Sequence, residues 1–85
     1  MTEITLTLSG MEAQQILDGL CQMGYDYGKR AEAEELKATE FQMDDNEIRA
    51  RITEARAKRA RDKETAAYSA YRKLGKLFLD KGLVT

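Results

Sequence analysis

The sequence predicts a mainly α fold in which a short N-terminal strand precedes a long antiparallel helical hairpin. Two long segments carry apolar residues at spacings of three and four, and each begins with residues that favour a helix N-terminus. Acidic residues precede the interruption at 43–47 and basic residues follow it, which favours folding the second helix back on the first. Residues 1–85 form one domain. A domain of this size buries only about 60–65% of its unfolded surface, so we expect it to oligomerise.

The N-terminal stretch EITLTL predicts a strand or extended arm over residues 3–8. Ile4, Leu6 and Leu8 alternate with threonines, a period-two pattern typical of strands. No other segment has this pattern, and an unpaired strand leaves backbone hydrogen-bonding groups unsatisfied. We therefore expect residues 3–8 to pair with a second copy or a partner, or to lie over the helices.

Helix 1 is predicted over about 10–42. Ser9 and Glu12 have the spacing of a capping box, which places the start of the helix at about residue 10. One apolar stripe follows and comprises Ala13, Ile16, Leu17, Leu20, Gly24, Tyr27, Ala31 and Ala38.

Helix 2 is predicted over about 46–81. Asp44 is the expected start signal, with Asp45 or Asn46 as alternative caps, and Gly82 is the expected left-handed stop. Residues 32–47 contain seven acids and one base, whereas residues 49–63 contain seven bases and two acids. In an antiparallel hairpin these blocks lie side by side, so we expect Glu35 to face Arg56 and Glu32 to face Arg59.

The stretch MGYDYGKR, residues 23–30, places two glycines inside a predicted helix. Our main interpretation is close packing, with Gly24 opposite Ala66 and Ala67 so that the two backbones can approach. The alternative is a break in helix 1 after Gly24, which would open an anion pocket at a new helix N-terminus.

The chain lacks the parts of an enzyme. It contains no histidine, and its one thiol, Cys21, lies at the edge of the apolar stripe with no evident base beside it. No phosphate-binding or dinucleotide motif is present. We therefore expect a protein that is not an enzyme and has no cofactor or metal.

Six residues are candidates for binding a ligand or partner. Arg51, Lys58 and Arg61 form a basic stripe that the predicted hairpin leaves unpaired and that could meet an anion, although a solvated surface is the favoured interpretation. Tyr25 points away from the apolar stripe, with Lys29 one turn later and Arg30 beside it. Nucleic-acid binding is a weaker interpretation, because neither a net basic charge nor aromatic residues among the bases are apparent.

An oligomer interface is predicted on helix 2, whose apolar face is wider than one partner helix can cover. The candidate interface residues are Ile4, Leu6, Leu8, Tyr71, Leu74 and Phe78.

The organisation of the chain, from the strand and capping box in ITLTLSGMEA to the charged hairpin, resembles that of small accessory proteins encoded by bacteriophages. The resemblance implies an oligomeric inhibitor that binds a host factor, such as an anti-phage defence protein, or that sequesters its nucleotide signal. The alternatives are a nucleic-acid-binding accessory protein that uses the basic half of helix 2, and a structural component of a larger particle.

We also expect the chain to be cytoplasmic, in the host cytoplasm if a phage encodes it. A single cysteine, no signal-peptide pattern and no apolar run of about 20 residues favour this location over a secreted or membrane protein.

Overall fold

Two antiparallel helices form the whole of the fold that the computed structural model describes, which covers residues 7–84. Helix α1 spans Gly10–Met43 and helix α2 spans Glu47–Asp80, each 34 residues long. The molecule measures 55 × 29 × 15 Å. The predicted mainly α helical hairpin is therefore confirmed, and its helices lie close to the expected ranges of 10–42 and 46–81.

Helix α1 begins at the capping box. The Ser9 hydroxyl accepts a hydrogen bond from the Glu12 backbone N–H (3.1 Å), and the Glu12 carboxylate accepts one from the Ser9 N–H (2.9 Å). Thr7 and Leu8, the described end of the predicted strand, belong to neither a helix nor a strand. The rest of that predicted strand, including Ile4 and Leu6, lies outside the described residues.

The turn between the helices is short because one residue serves both of them. Asn46 donates its backbone N–H to the Phe41 carbonyl (2.8 Å), and Asp45 has a positive φ of 56°, as in a helix C-terminal motif. The Asn46 side chain also accepts from the Arg49 N–H and is the N-cap of α2. Of the three cap candidates in the sequence, Asn46 is therefore the one used.

The open end of the hairpin, opposite the turn, contains the apolar core. Ala13, Leu17 and Phe78 are buried there, and Leu83 packs against them. Gly82, with φ of 72°, ends α2 and lets the Leu83 N–H donate to the Phe78 carbonyl (2.8 Å). This reversal is the left-handed stop that the sequence predicts, and it directs Leu83 back onto the core.

The seam between the helices is made mainly of small residues spaced seven apart. Such spacing keeps one narrow face of each helix against its partner along a left-handed pair. The small seam residues, all buried, are Gly24, Gly28, Ala31 and Ala38 in α1 and Ala50, Thr53, Ala57, Ala60 and Ala67 in α2. Small side chains allow close backbone approach, but they leave little apolar area to bury.

The two glycines of MGYDYGKR lie on this seam, but not opposite small residues. A Cβ at Gly24 would lie 2.7 Å from the Tyr68 ring, and one at Gly28 would meet the Glu64 carboxylate. The residue nearest to Gly24 is therefore Tyr68, next in sequence to the expected Ala66 and Ala67, so an aromatic ring packs on this glycine where small side chains were expected. Helix α1 runs unbroken through both glycines, so the alternative of a broken helix with an anion pocket is wrong.

Alanine substitutions at two glycines of α1 should separate helix propensity from close packing. Gly19 has no atom within 4 Å of an added Cβ, so Gly19→Ala should raise the free energy of unfolding by about 0.5–1 kcal/mol. At Gly24 the same gain is opposed by overpacking against Tyr68, which typically costs about 1–3 kcal/mol. We therefore expect Gly24→Ala to be neutral or destabilising in urea unfolding. Equal stabilisation by both substitutions would contradict the close packing of Tyr68 on Gly24.

Candidate functional site

The two long edges of the hairpin, where side chains beside the seam reach solvent, differ in charge. On one edge, which we call the paired flank, α1 contributes Glu35 and Gln42, and α2 contributes Glu54, Lys58 and Arg61. On the other edge, which we call the basic flank, five cations surround two aromatic rings. Its residues are Tyr27, Arg30 and Phe41 of α1 and Arg49, Arg56, Arg59 and Lys63 of α2.

The paired flank is held together by an ion-pair network centred on Arg61. Its guanidinium contacts the Glu35 carboxylate across the seam (Nη2 to Oε1, 2.7 Å) and the Glu64 carboxylate on its own helix (Nη1 to Oε1, 3.0 Å). The hydrogen bond from Arg61 lowers the pKa of Glu35, and the two carboxylates raise the pKa of Arg61. Gln42 donates to Glu54 further along the same edge. These contacts connect α1 to α2.

The ion pairs differ from the expected ones. Glu35 contacts Arg61 and not Arg56, while Glu32 lies 3.8 Å from Lys29 on its own helix and forms no ion pair with Arg59. The reason for Glu35 is geometrical: it lies on the paired flank with Arg61, whereas Arg56 and Arg59 lie on the basic flank at the other edge of α2.

The expectation that Arg51, Lys58 and Arg61 form an unpaired stripe is also wrong for two of the three. Arg61 has two carboxylate partners, and Arg51 pairs with Glu47 one turn earlier in α2 (2.9 Å). Lys58 has no ion-pair partner within residues 7–84 and lies on the paired flank.

The structure separates the expected cluster of Tyr25, Lys29 and Arg30. Tyr25 is 54% exposed, and the Lys29 ammonium lies 5.5 Å from its ring centroid. Arg30 instead lies over the ring of Tyr27, also at 5.5 Å, and belongs to the basic flank. Tyr25 and Lys29 thus form an exposed pair, and Arg30 contributes to a different surface.

On the basic flank, aromatic rings of α1 lie among cations of α2. The half-buried ring of Tyr27 has the Lys63 ammonium at 5.5 Å in addition to Arg30, and Arg49 lies 5.8 Å from the Phe41 ring centroid. Around Tyr27 is a recess of about 190 Å³ whose one acidic residue is Glu34. None of the five cations of this flank forms an ion pair within the described part of the chain. The arrangement can attract an anion.

The sequence predicts that Arg56 and Arg59 pair with glutamates of helix 1, so it assigns no binding role to the basic flank, although a signal for this surface is present. Arg49, Arg56 and Lys63 recur every seven residues in α2, as Tyr27, Glu34 and Phe41 do in α1. A seven-residue repeat places each set along one edge of its own helix, but it does not show which edges meet.

The open end of the hairpin carries an apolar groove of about 610 Å³. It is lined by Thr7, Leu8, Ile16, Leu74, Leu77, Phe78, Lys81 and Leu83. The groove includes three of the expected interface residues, Leu8, Leu74 and Phe78. Tyr71 is not part of its lining. Phe78 is only 5% exposed, because it packs in the core of its own chain, and it has little surface left for a partner.

The described residues contain neither a metal-ligand cluster nor a membrane-spanning helix. Among residues 7–84, no three histidine, cysteine, aspartate or glutamate side chains are grouped so that they could hold a metal ion. Neither α1 nor α2 combines the length and apolar character needed to cross a bilayer. Cys21 is a free, exposed thiol.

The sequence matches no protein-family model, and no curated protein or solved structure is significantly similar to it. Inference about function therefore depends on the three surfaces described above: the paired flank, the basic flank and the apolar groove.

The Arg61 network predicts a pH-dependent contribution to stability. The pKa of Glu35 is lower in the folded state than in the unfolded state, so its charge stabilises the fold above the unfolded-state pKa, and this contribution is lost as pH falls through the folded-state value. Glu35→Gln should lower the urea midpoint at pH 7, and the deficit should shrink below about pH 4. The effect should be modest, because solvent reaches both side chains.

The control for this measurement is Glu40→Gln, which removes a carboxylate that has no ion pair within residues 7–84. Its urea midpoint at pH 7 should stay close to that of the unmodified protein. A deficit of Glu35→Gln that is the same at pH 7 and pH 3 would show that the Glu35 charge does not stabilise the hairpin.

Proposed function

We propose that this chain is a non-enzymatic binding protein that self-associates and, as an oligomer, inhibits or sequesters a host factor such as an anti-phage defence protein. The observation that carries the proposal is the apolar groove at the open end of the hairpin. The phage-like organisation of the chain supports the host-factor part of it, with the host cytoplasm as the place of action.

The groove is a surface that gains stability when it is covered. Ile16 and Leu77 are 37% and 49% exposed there, beside a core of only three buried side chains. The small-residue seam contributes little apolar burial, so covering the groove would add apolar burial that residues 7–84 do not provide by themselves. A second copy is the simplest partner, because a net charge of −1 produces little repulsion between two chains.

A self-associated hairpin keeps other surfaces available for its target. Tyr25, Leu36 and Met23 are exposed on α1 away from the groove residues, and exposed aromatic and apolar side chains are typical anchors of protein interfaces.

Capture of a nucleotide signal is the second form of the proposal, and it would use a pocket between subunits at Tyr25 and Lys29. A nucleic-acid site at Arg51, Lys58 and Arg61 has less support, since two of these cations already have carboxylate partners.

Substitution of one exposed groove leucine should weaken self-association. Leu77→Gln removes about half of a leucine's burial from each subunit, so the dissociation constant should rise by roughly tenfold or more in light scattering over a concentration series. The matched control is Leu36→Gln, which changes a leucine that is 64% exposed on the surface of α1 and does not line the groove. A monomer at all concentrations, or equal effects of the two substitutions, would contradict association through the groove.

Native mass spectrometry of the protein purified gently from cells that express it tests the binding function. We expect a homo-oligomer with a bound protein chain. Leu36→Gln should leave the homo-oligomer intact but weaken retention of the bound chain, because Leu36 is one of the exposed anchors, whereas Leu77→Gln should lose the bound chain together with the oligomer if binding requires the oligomer. An added mass of a few hundred daltons would identify a captured small molecule and support the nucleotide form, with Tyr25→Ala expected to remove it. A bare monomer would contradict both forms.

A further inference from the structure

We propose that the basic flank is a binding site for single-stranded nucleic acid. This inference goes beyond the proposed function and uses a different part of the molecule: the basic flank occupies the half of the hairpin near the turn, whereas the apolar groove lies at the open end. Either can therefore be correct without the other.

The first argument is the distribution of charge. The whole chain has a net charge of −1, which gives no general attraction to a polyanion. On the basic flank, however, five cations meet one acidic side chain, Glu34, and none of the five has an ion-pair partner within residues 7–84. The carboxylates that accept hydrogen bonds across the seam, Glu35 of α1 and Glu54 of α2, lie on the opposite edge, where Arg61 and Gln42 donate to them. The basic flank is thus locally positive, although the net charge of the chain is close to zero.

The second argument is that aromatic rings organise these cations. Tyr27 has a cation of its own helix, Arg30, and one of the other helix, Lys63, at 5.5 Å from its ring. Of the four cation–aromatic contacts in residues 7–84, three lie on the basic flank. Such contacts reduce the freedom of long basic side chains before a ligand arrives, which lowers the entropic cost of binding.

The third argument is the elongated shape of the basic flank, which suits an extended single strand of nucleic acid. Tyr27 and Phe41 are two seven-residue repeats apart, which is about 20 Å along a helix. Two recesses of about 190 and 330 Å³ lie along this distance, and both are open to solvent rather than enclosed. A small nucleotide is usually bound in one concave pocket, whereas a strand offers phosphates at intervals and bases that stack on aromatic rings and guanidinium planes.

The test is fluorescence anisotropy with a labelled oligothymidylate of about 20 nucleotides, measured at several salt concentrations. Contacts with three to five phosphates predict that log K falls with log salt with a slope of about −2 to −3.5. Arg56→Gln/Arg59→Gln should reduce the affinity at low salt by at least tenfold and make the slope shallower by about 1.4, since two phosphate contacts are lost. Glutamine has a helix propensity similar to that of arginine, so the fold should be retained, as circular dichroism would verify.

The matched control is Arg51→Gln/Lys58→Gln, which removes the same charge from the same helix but away from the basic flank. Its affinity should stay within about threefold of the unmodified protein, as expected when only long-range electrostatics change. Equal loss in the two double variants, or a larger loss in the control, would overturn the assignment of the site. Failure to bind the oligonucleotide even at low salt would also overturn it.

Competition experiments distinguish a nucleic-acid strand from other anions. Unlabelled oligothymidylate should displace the labelled strand at far lower phosphate concentration than thymidine monophosphate does. Equal competition by the mononucleotide, by duplex DNA or by polyglutamate would overturn the proposal, because it would mean that the basic flank recognises a single phosphate, a double helix or negative charge alone.

Discussion

The close approach of the two helices along a seam of alanine and glycine is the constraint on which the rest of the structure depends. Residues such as Ala31 and Ala57 have too little side chain to separate the backbones, so a larger side chain such as Tyr68 reaches the seam only over a glycine, and the other large side chains of this part of the hairpin find no room there. They lie along its two edges instead. The paired flank and the basic flank are therefore both direct results of the small residues between them.

The same seam explains why the hairpin needs other sources of stability. Alanine and glycine bury little apolar surface, and the only cluster of larger buried side chains is that of Leu17 and Phe78 with Ala13 at the open end of the described chain. The caps at Ser9 and Asn46 satisfy backbone groups at the helix starts, and Arg61 links the helices through Glu35. These contacts favour the hairpin, and within residues 7–84 they leave the apolar groove beside the core uncovered.

The three surfaces suit different partners because they differ in chemistry. The apolar groove can gain most from another apolar surface, and a second copy of the chain offers one. The paired flank has already satisfied its charges within the hairpin, so a partner would have to compete with existing ion pairs. The basic flank has cations without carboxylate partners in the described residues, and three of them, Arg30, Arg49 and Lys63, lie against its aromatic rings. A chain of 85 residues can thus present an apolar surface and a basic surface at different parts of one hairpin.

The sequence by itself determined the features that depend on neighbours along the chain. The two helices, the capping box at Ser9 and the left-handed stop at Gly82 follow from local hydrogen bonding and φ preferences, and opposite charge blocks around a short turn were enough to predict the hairpin. The tertiary structure alone decided how the helix edges meet. The helix register packs the Tyr68 ring on Gly24. The way in which the helix edges meet pairs Arg61 with Glu35 on one side and places Lys63 beside Tyr27 on the other. A seven-residue repeat defines the edges of one helix, but the pairing of edges depends on packing between residues far apart in sequence, which no local pattern specifies.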